Sequence, residues 1–258
     1  MDRLAGKVIV ITGATKGIGR GIAFALAQEG AHVVVGGRSC DEGKSVVSQI
    51  SSEYGKKALF VCGDIREEAY CKHLIDSAVE RFGKIDGLVN NAGIFPVIPF
   101  FECKSEDFDN VYAVNVRGTF LCSKYAAMAM EKTGGGSLVH IGSTHAFGAS
   151  PQYSLYGSSK GAMYSLSSYL ARNLARLHIR SNWISVGWVA TEGEIARIKA
   201  DGHDEKWLEE LAEKLIPLGA LQSSQDIANG VIYLLSDESR FTTESDIKIT
   251  GGFFPHYD

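Results

Sequence analysis

Short runs of β-branched and aliphatic residues alternate along this chain with longer stretches whose apolar residues recur every three or four positions. Val8-Ile9-Val10-Ile11 is continuously apolar, which suits a strand buried on both faces of a parallel sheet. Similar runs follow at His32–Val35, Ala58–Val61, Gly87–Val89, Ser137–Ile141, Arg180–Ile184 and Asp246–Ile249. Ile18, Ile22 and Leu26 form one stripe of a helical stretch that ends near Glu29. Leu166, Leu170, Leu174 and Leu177 form another, and a third helical stretch runs from Ser105 to Glu131. Strand and helix in regular alternation predict an α/β fold: a doubly wound parallel sheet of about seven strands, with helices on both faces and right-handed crossovers.

No Pro/Ser-rich linker divides the chain, and Gly134-Gly135-Gly136 only separates a helix from the next strand. A single domain over residues 1–258 is therefore expected. The rhythm breaks only near 191–217, a charged helical stretch with Glu192, Glu194, Arg197 and Lys199 followed by Glu205 to Lys214. An insertion there is placed to cover a site beyond the carboxyl ends of the strands.

Composition then removes function classes. With 45% apolar residues the chain is not disordered, and 29 Gly without a three-residue period are not collagen. A net charge of −4 lacks the basic stripe of a nucleic-acid binder or a polybasic membrane anchor. No apolar run approaches the roughly 20 residues of a membrane span, and Met1 to Lys7 leads into a strand without a signal-peptide pattern. Cys40, Cys62, Cys71, Cys103 and Cys122 are odd in number and widely spaced, with no C-x-x-C. They are expected to be reduced thiols in a cytoplasmic protein, and no metal site is suggested.

Candidate chemistry lies where strands end. Thr12-Gly13-Ala14-Thr15-Lys16-Gly17-Ile18-Gly19 joins the first strand to the first helix. Glycines there let backbone approach a pyrophosphate, which the helix N-terminus attracts through free N–H groups. The second strand ends in Gly36-Gly37-Arg38, without the carboxylate that would bind both ribose hydroxyls of NAD. Arg38, with Lys16 near it, suits a 2′-phosphate and so favours NADP, with NAD the alternative. Tyr156 and Lys160 stand four apart, on one face of a helix, where an ammonium favours phenolate and lowers the phenol pKa from about 10. Ser143 follows the end of the fifth strand and can donate a hydrogen bond to a substrate oxygen. Asn115 sits inside the stretch Ser105–Glu131, although Asn is a poor helix-interior residue, and such local conflict points to function. Asn90-Asn91-Ala92-Gly93 follows another strand end.

Taken in order and spacing, the glycine loop, Asn90-Asn91-Ala92-Gly93, Asn115, Ser143 and Tyr156-x-x-x-Lys160 resemble the short-chain dehydrogenase/reductase superfamily over essentially the whole chain. The resemblance implies a Rossmann-type fold and a nicotinamide cofactor. It makes Tyr156 the proton donor or acceptor, with Lys160 lowering its pKa and holding the nicotinamide ribose. Ser143 would orient the carbonyl and Asn115 would hold a water in a proton relay. Gly13, Gly17 and Gly19 would shape the pyrophosphate loop, with Thr15, Lys16, Ile18, Ala92, Gly93 and Val189 also at the cofactor. Asp64 would lie near the adenine, Asn91 near the adenosine ribose and Thr191 near the carboxamide. Two positions depart from the family pattern: Val186 stands where Pro is usual, and Thr242-Thr243-Glu244 where a Thr-Gly pair is common.

His145, Gln152 and Tyr153 lie between Ser143 and Tyr156 and are candidates for substrate contact, as is Trp188. Ile94, Phe95 and Pro96 would form an apolar wall. The expected reaction is hydride transfer between NADP(H) and a secondary alcohol or ketone, such as a sugar or polyol. The competing reading is a non-catalytic nucleotide-binding sensor or scaffold. A homo-oligomer, tetramer or dimer, is implied by the family, with Tyr169 and Leu170 facing a partner. The apolar tail Phe253-Phe254-Pro255-His256-Tyr257 is expected against a neighbouring subunit.

Overall fold

The computed structural model describes residues 2–148 and 151–254. Its strands are β1 (Val8–Thr12), β2 (His32–Gly37), β3 (Ala58–Cys62), β4 (Gly87–Asn90), β5 (Gly136–Ile141), β6 (Ile179–Val186) and β7 (Asp246–Ile249). They form one seven-stranded sheet in the order β3-β2-β1-β4-β5-β6-β7, and every neighbouring pair is parallel. The main helices are α1 (Gly17–Gln28), α2 (Cys40–Tyr54), α3 (Glu68–Phe82), α4 (Ser105–Tyr112), α5 (Gly118–Glu131), α6 (Ser154–Leu174), α7 (Glu192–Ala200), α8 (Glu205–Leu215) and α9 (Ser224–Leu235).

The central strands explain why the hydrophobic runs are unbroken. Side chains alternate between sheet faces, and both faces of β1 are covered. Ile9 and Ile11 join a core with Leu26 of α1 and Ile227 and Val231 of α9. Val8 and Val10 join the opposite core with Leu74 of α3 and Leu121 and Met130 of α5. The chain steps outward from β1 to β2 and β3, then returns across β1 to β4. That reversal opens a crevice beyond the ends of β1 and β4, where a doubly wound sheet binds its ligands.

Two helical stretches take a more specific form than the sequence pattern gives. The stretch Ser105–Glu131 is helical throughout, but α4 passes into α5 through a π-helical turn, Ala113–Arg117, that contains Asn115. Such a turn accommodates one more residue than an α-turn and redirects the side chains it holds. Leu170 packs inward against the core, whereas Tyr169 beside it is 67% exposed, because neighbours in a helix face different sides. Phe253 of the apolar tail lies 6.2 Å, centroid to centroid, from Trp188 of the same chain. Pro255, His256 and Tyr257 fall outside the described residues.

The cysteines differ most from expectation. Cys40 and Cys62 are joined by a disulfide, their Cα atoms 5.6 Å apart across a sequence separation of 22. The pairing of β2 with β3 brings the start of α2 against the end of β3, a proximity that linear spacing does not display. Cys71, Cys103 and Cys122 are free thiols. Among the described residues no helix is long and apolar enough to cross a membrane. Among them, too, no group of three or more His, Cys, Asp or Glu is placed to hold a metal ion.

Candidate active site

The crevice begins at the turn from β1 to α1. Gly13 and Gly17 have φ of +64° and +55°, values that side chains strain against. A Cβ on Gly13 would also fall 2.8 Å from Cα of Ala92, so the two loops touch backbone to backbone. Thr12 Oγ1 accepts hydrogen bonds from the backbone N–H of Asn91 and Ala92, each at 3.0 Å. Asn91 Nδ2 donates to the carbonyls of Thr12 and Gly13, both at 2.9 Å. The Asn91 side chain therefore braces the glycine loop. Lys16 is exposed and forms the N-cap of α1 without a side-chain capping bond. The first N–H groups of α1 have no partner within the helix and are directed at whatever anion lies in the crevice. Ile18 packs against the core and Thr15 is buried.

The far end of the crevice is charged and open. A Cβ on Gly37 would meet the methyl of Thr15 at 2.7 Å, so an acidic side chain cannot occupy that position without displacing Thr15. The Arg38 side chain is 64% exposed, and its nearest carboxylate is Asp64 at 3.9 Å. Asp64 is engaged more closely by Arg66, at 2.7 Å, and that bond holds its carboxyl below the usual range.

The reacting end is buried. Lys160 of α6 is fully enclosed, and its Nζ donates to the carbonyl of Ile141 at 2.8 Å. Asn115 Oδ1 accepts from Ile94 N at 2.8 Å, while Nδ2 donates to Ile94 O and to Ser159 Oγ, both at 2.9 Å. The π-turn thus uses Asn115 to tie the β4–α4 loop to α6. Gly93 lies beside the same pair: a Cβ there would stand 3.4 Å from Asn115 Oδ1 and 3.8 Å from Lys160 Nζ. Ser143 is buried just past the end of β5, and its Oγ accepts from His145 N at 3.2 Å. Burial pushes the Tyr156 phenol up to about 12, and the neighbouring Ser143 hydroxyl pulls the other way. The expected lowering by Lys160 does not prevail in this geometry. The lysine ammonium lies 5.8 Å from the Tyr156 ring centroid and is committed to the Ile141 carbonyl. Burial in turn lowers Lys160 to about 8.

The candidate substrate residues divide. The His145 ring lies 4.8 Å from Tyr153 and 5.8 Å from Tyr156, so these three rings share one wall of the site. Burial lowers the His145 pKa, leaving a neutral imidazole at pH 7. Phe95 adds an edge contact to Tyr156 at 6.1 Å. Gln152 is exposed, and its carbonyl accepts from Ile98 N at 3.0 Å. The Trp188 Nε1 donates to Glu194 Oε1 at 2.8 Å, and Glu194 pairs with Arg197 at 2.7 Å. Val189 is buried, and Thr191 caps α7 through Glu194 N at 3.2 Å. The segment from 191 does reach the crevice. Thr191 stands 3.7 Å from an ideal Cβ on Gly17, and Glu192 pairs with Arg20 of α1. His140 is fully buried between Asn90 and Ser181, and burial pushes it down to about 3, so it stays neutral and structural.

This arrangement has close parallels. A family model described as enoyl-(acyl carrier protein) reductase matches residues 13–254. An uncharacterized oxidoreductase of Thermotoga maritima is 39% identical over 247 residues, covering 96% of this chain and 97% of that one. An L-rhamnose 1-dehydrogenase (NAD(P)(+)) of Sphingomonas sp. is 32% identical over 256 residues, 98% of each chain. The crystal structure of L-sorbose reductase from Gluconobacter frateurii, complexed with NADPH and L-sorbose, matches with a TM-score of 0.94 at 28% identity and covers 100% of both chains. With its seven-stranded parallel sheet and its glycine-loop crevice, the chain belongs to the short-chain dehydrogenase/reductase superfamily and is an oxidoreductase.

Proposed function

We propose that this protein interconverts a secondary alcohol and a ketone on a hydroxylated substrate of the sugar or polyol class, using NADP(H). The observation that carries the reading is the group at one end of the crevice: buried Ser143, Lys160 and Asn115 around the half-buried Tyr156, whose ring centroid lies 5.8 Å from the Lys160 ammonium. The substrate class is supported by the L-rhamnose dehydrogenase and L-sorbose reductase likenesses. The phosphorylated cofactor is supported by exposed Arg38 and by the contact that keeps Gly37 free of a carboxylate.

The residues fit a nicotinamide dinucleotide. The uncapped start of α1 and Gly13, Gly17 and Gly19 would hold its pyrophosphate, Arg38 and Lys16 its 2′-phosphate, and Lys160 its nicotinamide ribose. When bound, the cofactor supplies or accepts the hydride. Tyr156 gives its proton to the developing alkoxide in reduction and takes it back in oxidation. At about 12 the phenol is fully protonated at neutral pH, which suits the donor role. Ser143 donates to the same oxygen while accepting from His145 N, which fixes its hydroxyl. Lys160 stabilises charge left on Tyr156, and Asn115 keeps the loop at Ile94 and helix α6 in register. His145 and Tyr153 face the substrate. Residues 1–258 act as one domain in which the stretch 191–217 covers the site.

A homo-oligomer, tetramer or dimer, belongs to the same reading. It is supported by an exposed apolar face on α4, α5 and α6 that includes Phe108, Phe120 and Tyr169. The reading also carries a cytoplasmic location. The testing experiment follows nicotinamide absorbance with a panel of ketoses, aldoses and polyols in both directions. Turnover with NADP(H) on at least one of them is expected. Cofactor binding without turnover on any alcohol or carbonyl would favour a nucleotide-binding sensor.

A further inference from the structure

The structure assigns Cys40 and Cys62 as a thiol–disulfide exchange site that sets how tightly the protein holds a 2′-phosphorylated adenosine. The inference rests on the reading of Arg38 as the phosphate cation. Cys40 is the first residue of α2 and comes two residues after Arg38. Cys62 is the last residue of β3 and comes two residues before Asp64. The bridge therefore links the two segments that form the adenosine end of the crevice. It also packs directly on the cation's main chain: the Cys40 and Cys62 sulfurs lie 3.8 and 3.6 Å from the Arg38 carbonyl oxygen. Both cysteines are exposed, so a reductant reaches them without unfolding the sheet. Cys71 and Cys122, by contrast, are fully buried. Exposed disulfides are the ones that exchange, whereas enclosed sulfurs are inert.

The exchange balances with a dithiol as co-reactant. One of its thiolates attacks a sulfur of the bridge, forming a mixed disulfide and releasing the other cysteine as a thiolate, which takes up a proton. The second thiol of the reductant then resolves the mixed disulfide. Two electrons and two protons have moved to Cys40 and Cys62, and the reductant leaves as a disulfide. A low-molecular-weight disulfide reverses the sequence. With the bridge closed, the Arg38 main chain is held between α2 and β3, and its side chain meets a phosphate with less freedom to lose. With the bridge open, that ordering is required at binding, which costs about fivefold in affinity for one long side chain. A ligand that lacks the 2′-phosphate does not use Arg38 and is indifferent to the change. The redox state thus shifts selection between the phosphorylated and unphosphorylated cofactors.

The test titrates 2′,5′-ADP and 5′-AMP into the full chain by calorimetry, oxidised and after dithiothreitol. Alkylation and mass measurement confirm which thiols have opened. Reduction is expected to weaken 2′,5′-ADP about fivefold and to leave 5′-AMP unchanged. The double variant Cys40→Ser/Cys62→Ser is expected to bind as the reduced protein does and to ignore dithiothreitol. If that variant does not fold, the wild-type comparison decides alone. Equal weakening of both ligands, or of neither, overturns the proposal. Arg38→Ala separates the two layers. If it weakens 2′,5′-ADP while wild-type binding is insensitive to reduction, the exchange site fails and the phosphate reading stands. If it leaves 2′,5′-ADP unaffected, the Arg38 reading fails and the exchange site with it.

Discussion

Around Tyr156 the functional side chains are enclosed and tied to the frame, whereas around Arg38 they are exposed and charged. Lys160 and Asn115 are 4% and 0% exposed, and each spends its polar atoms on protein partners. The Arg38 side chain is 64% exposed, with a carboxylate no nearer than 3.9 Å. A buried polar group without its partner is costly, so the reacting end tolerates one geometry. An exposed cation is screened by water and salt, so the adenosine end can be adjusted without loss of the fold. Chemistry is thus fixed at one end, and cofactor choice is adjustable at the other.

The largest expected effect falls at the enclosed end. Tyr156→Phe removes the proton donor while keeping the ring, and kcat should fall about a thousandfold with cofactor affinity retained. Comparing turnover with NADPH binding on the same preparation checks this. Next in size is the loss of the Cys40–Cys62 bridge, which closes a loop of 22 residues. Cys40→Ser/Cys62→Ser should lower stability by roughly 3 kcal/mol in denaturant titration, an effect of the open end on folding and not on chemistry. Arg38→Ala should weaken NADPH about tenfold, less at high salt, and leave NADH unchanged. An equal loss for both cofactors would erase the distinction between the two ends.

The smallest effect at neutral pH comes from Lys160, lowered to about 8 by burial. The ketone-reduction rate, which uses the charged lysine beside Tyr156, should decline as pH rises past about 8. The same ionisation acts on stability with the opposite sign. Between about 8 and the ordinary lysine value of 10.5, the unfolded chain holds a proton that the folded chain has released. Stability from this group therefore rises with pH across that window. Lys160→Met should remove both slopes, read from pH–rate profiles and from thermal melts.

Much of this was legible in the residues. The β-branched runs at Val8 and Val33 mark strands covered on both faces, and the glycine loop lies where the first of them turns into a helix. Asn115 announced itself by its poor fit to a helix, and a π-turn is the form that conflict takes. Other features depend on who meets whom in three dimensions. Nothing near Cys40 in sequence indicates that β2–β3 pairing brings it to Cys62. The spacing of Tyr156 and Lys160 predicts an ammonium beside a phenol, but the hydrogen bond to Ile141 and the burial of both groups reverse the expected pKa shift. The Trp188 N–H finds its partner in Glu194, on the helix that follows, a pairing that linear sequence does not display. Asn91 is expected near a ribose, and the structure adds that its amide braces the Thr12 and Gly13 carbonyls.

The division between the two ends is tested most directly by one paired measurement. Steady-state kcat on a reactive ketose and equilibrium Kd for NADPH and NADH are determined for Tyr156→Phe and Arg38→Ala side by side. The account predicts that Tyr156→Phe loses kcat and keeps both Kd values, while Arg38→Ala keeps kcat at saturation and loses its preference for NADPH. A Tyr156→Phe protein that turns over at the wild-type rate would contradict it, as would an Arg38→Ala protein that still prefers NADPH.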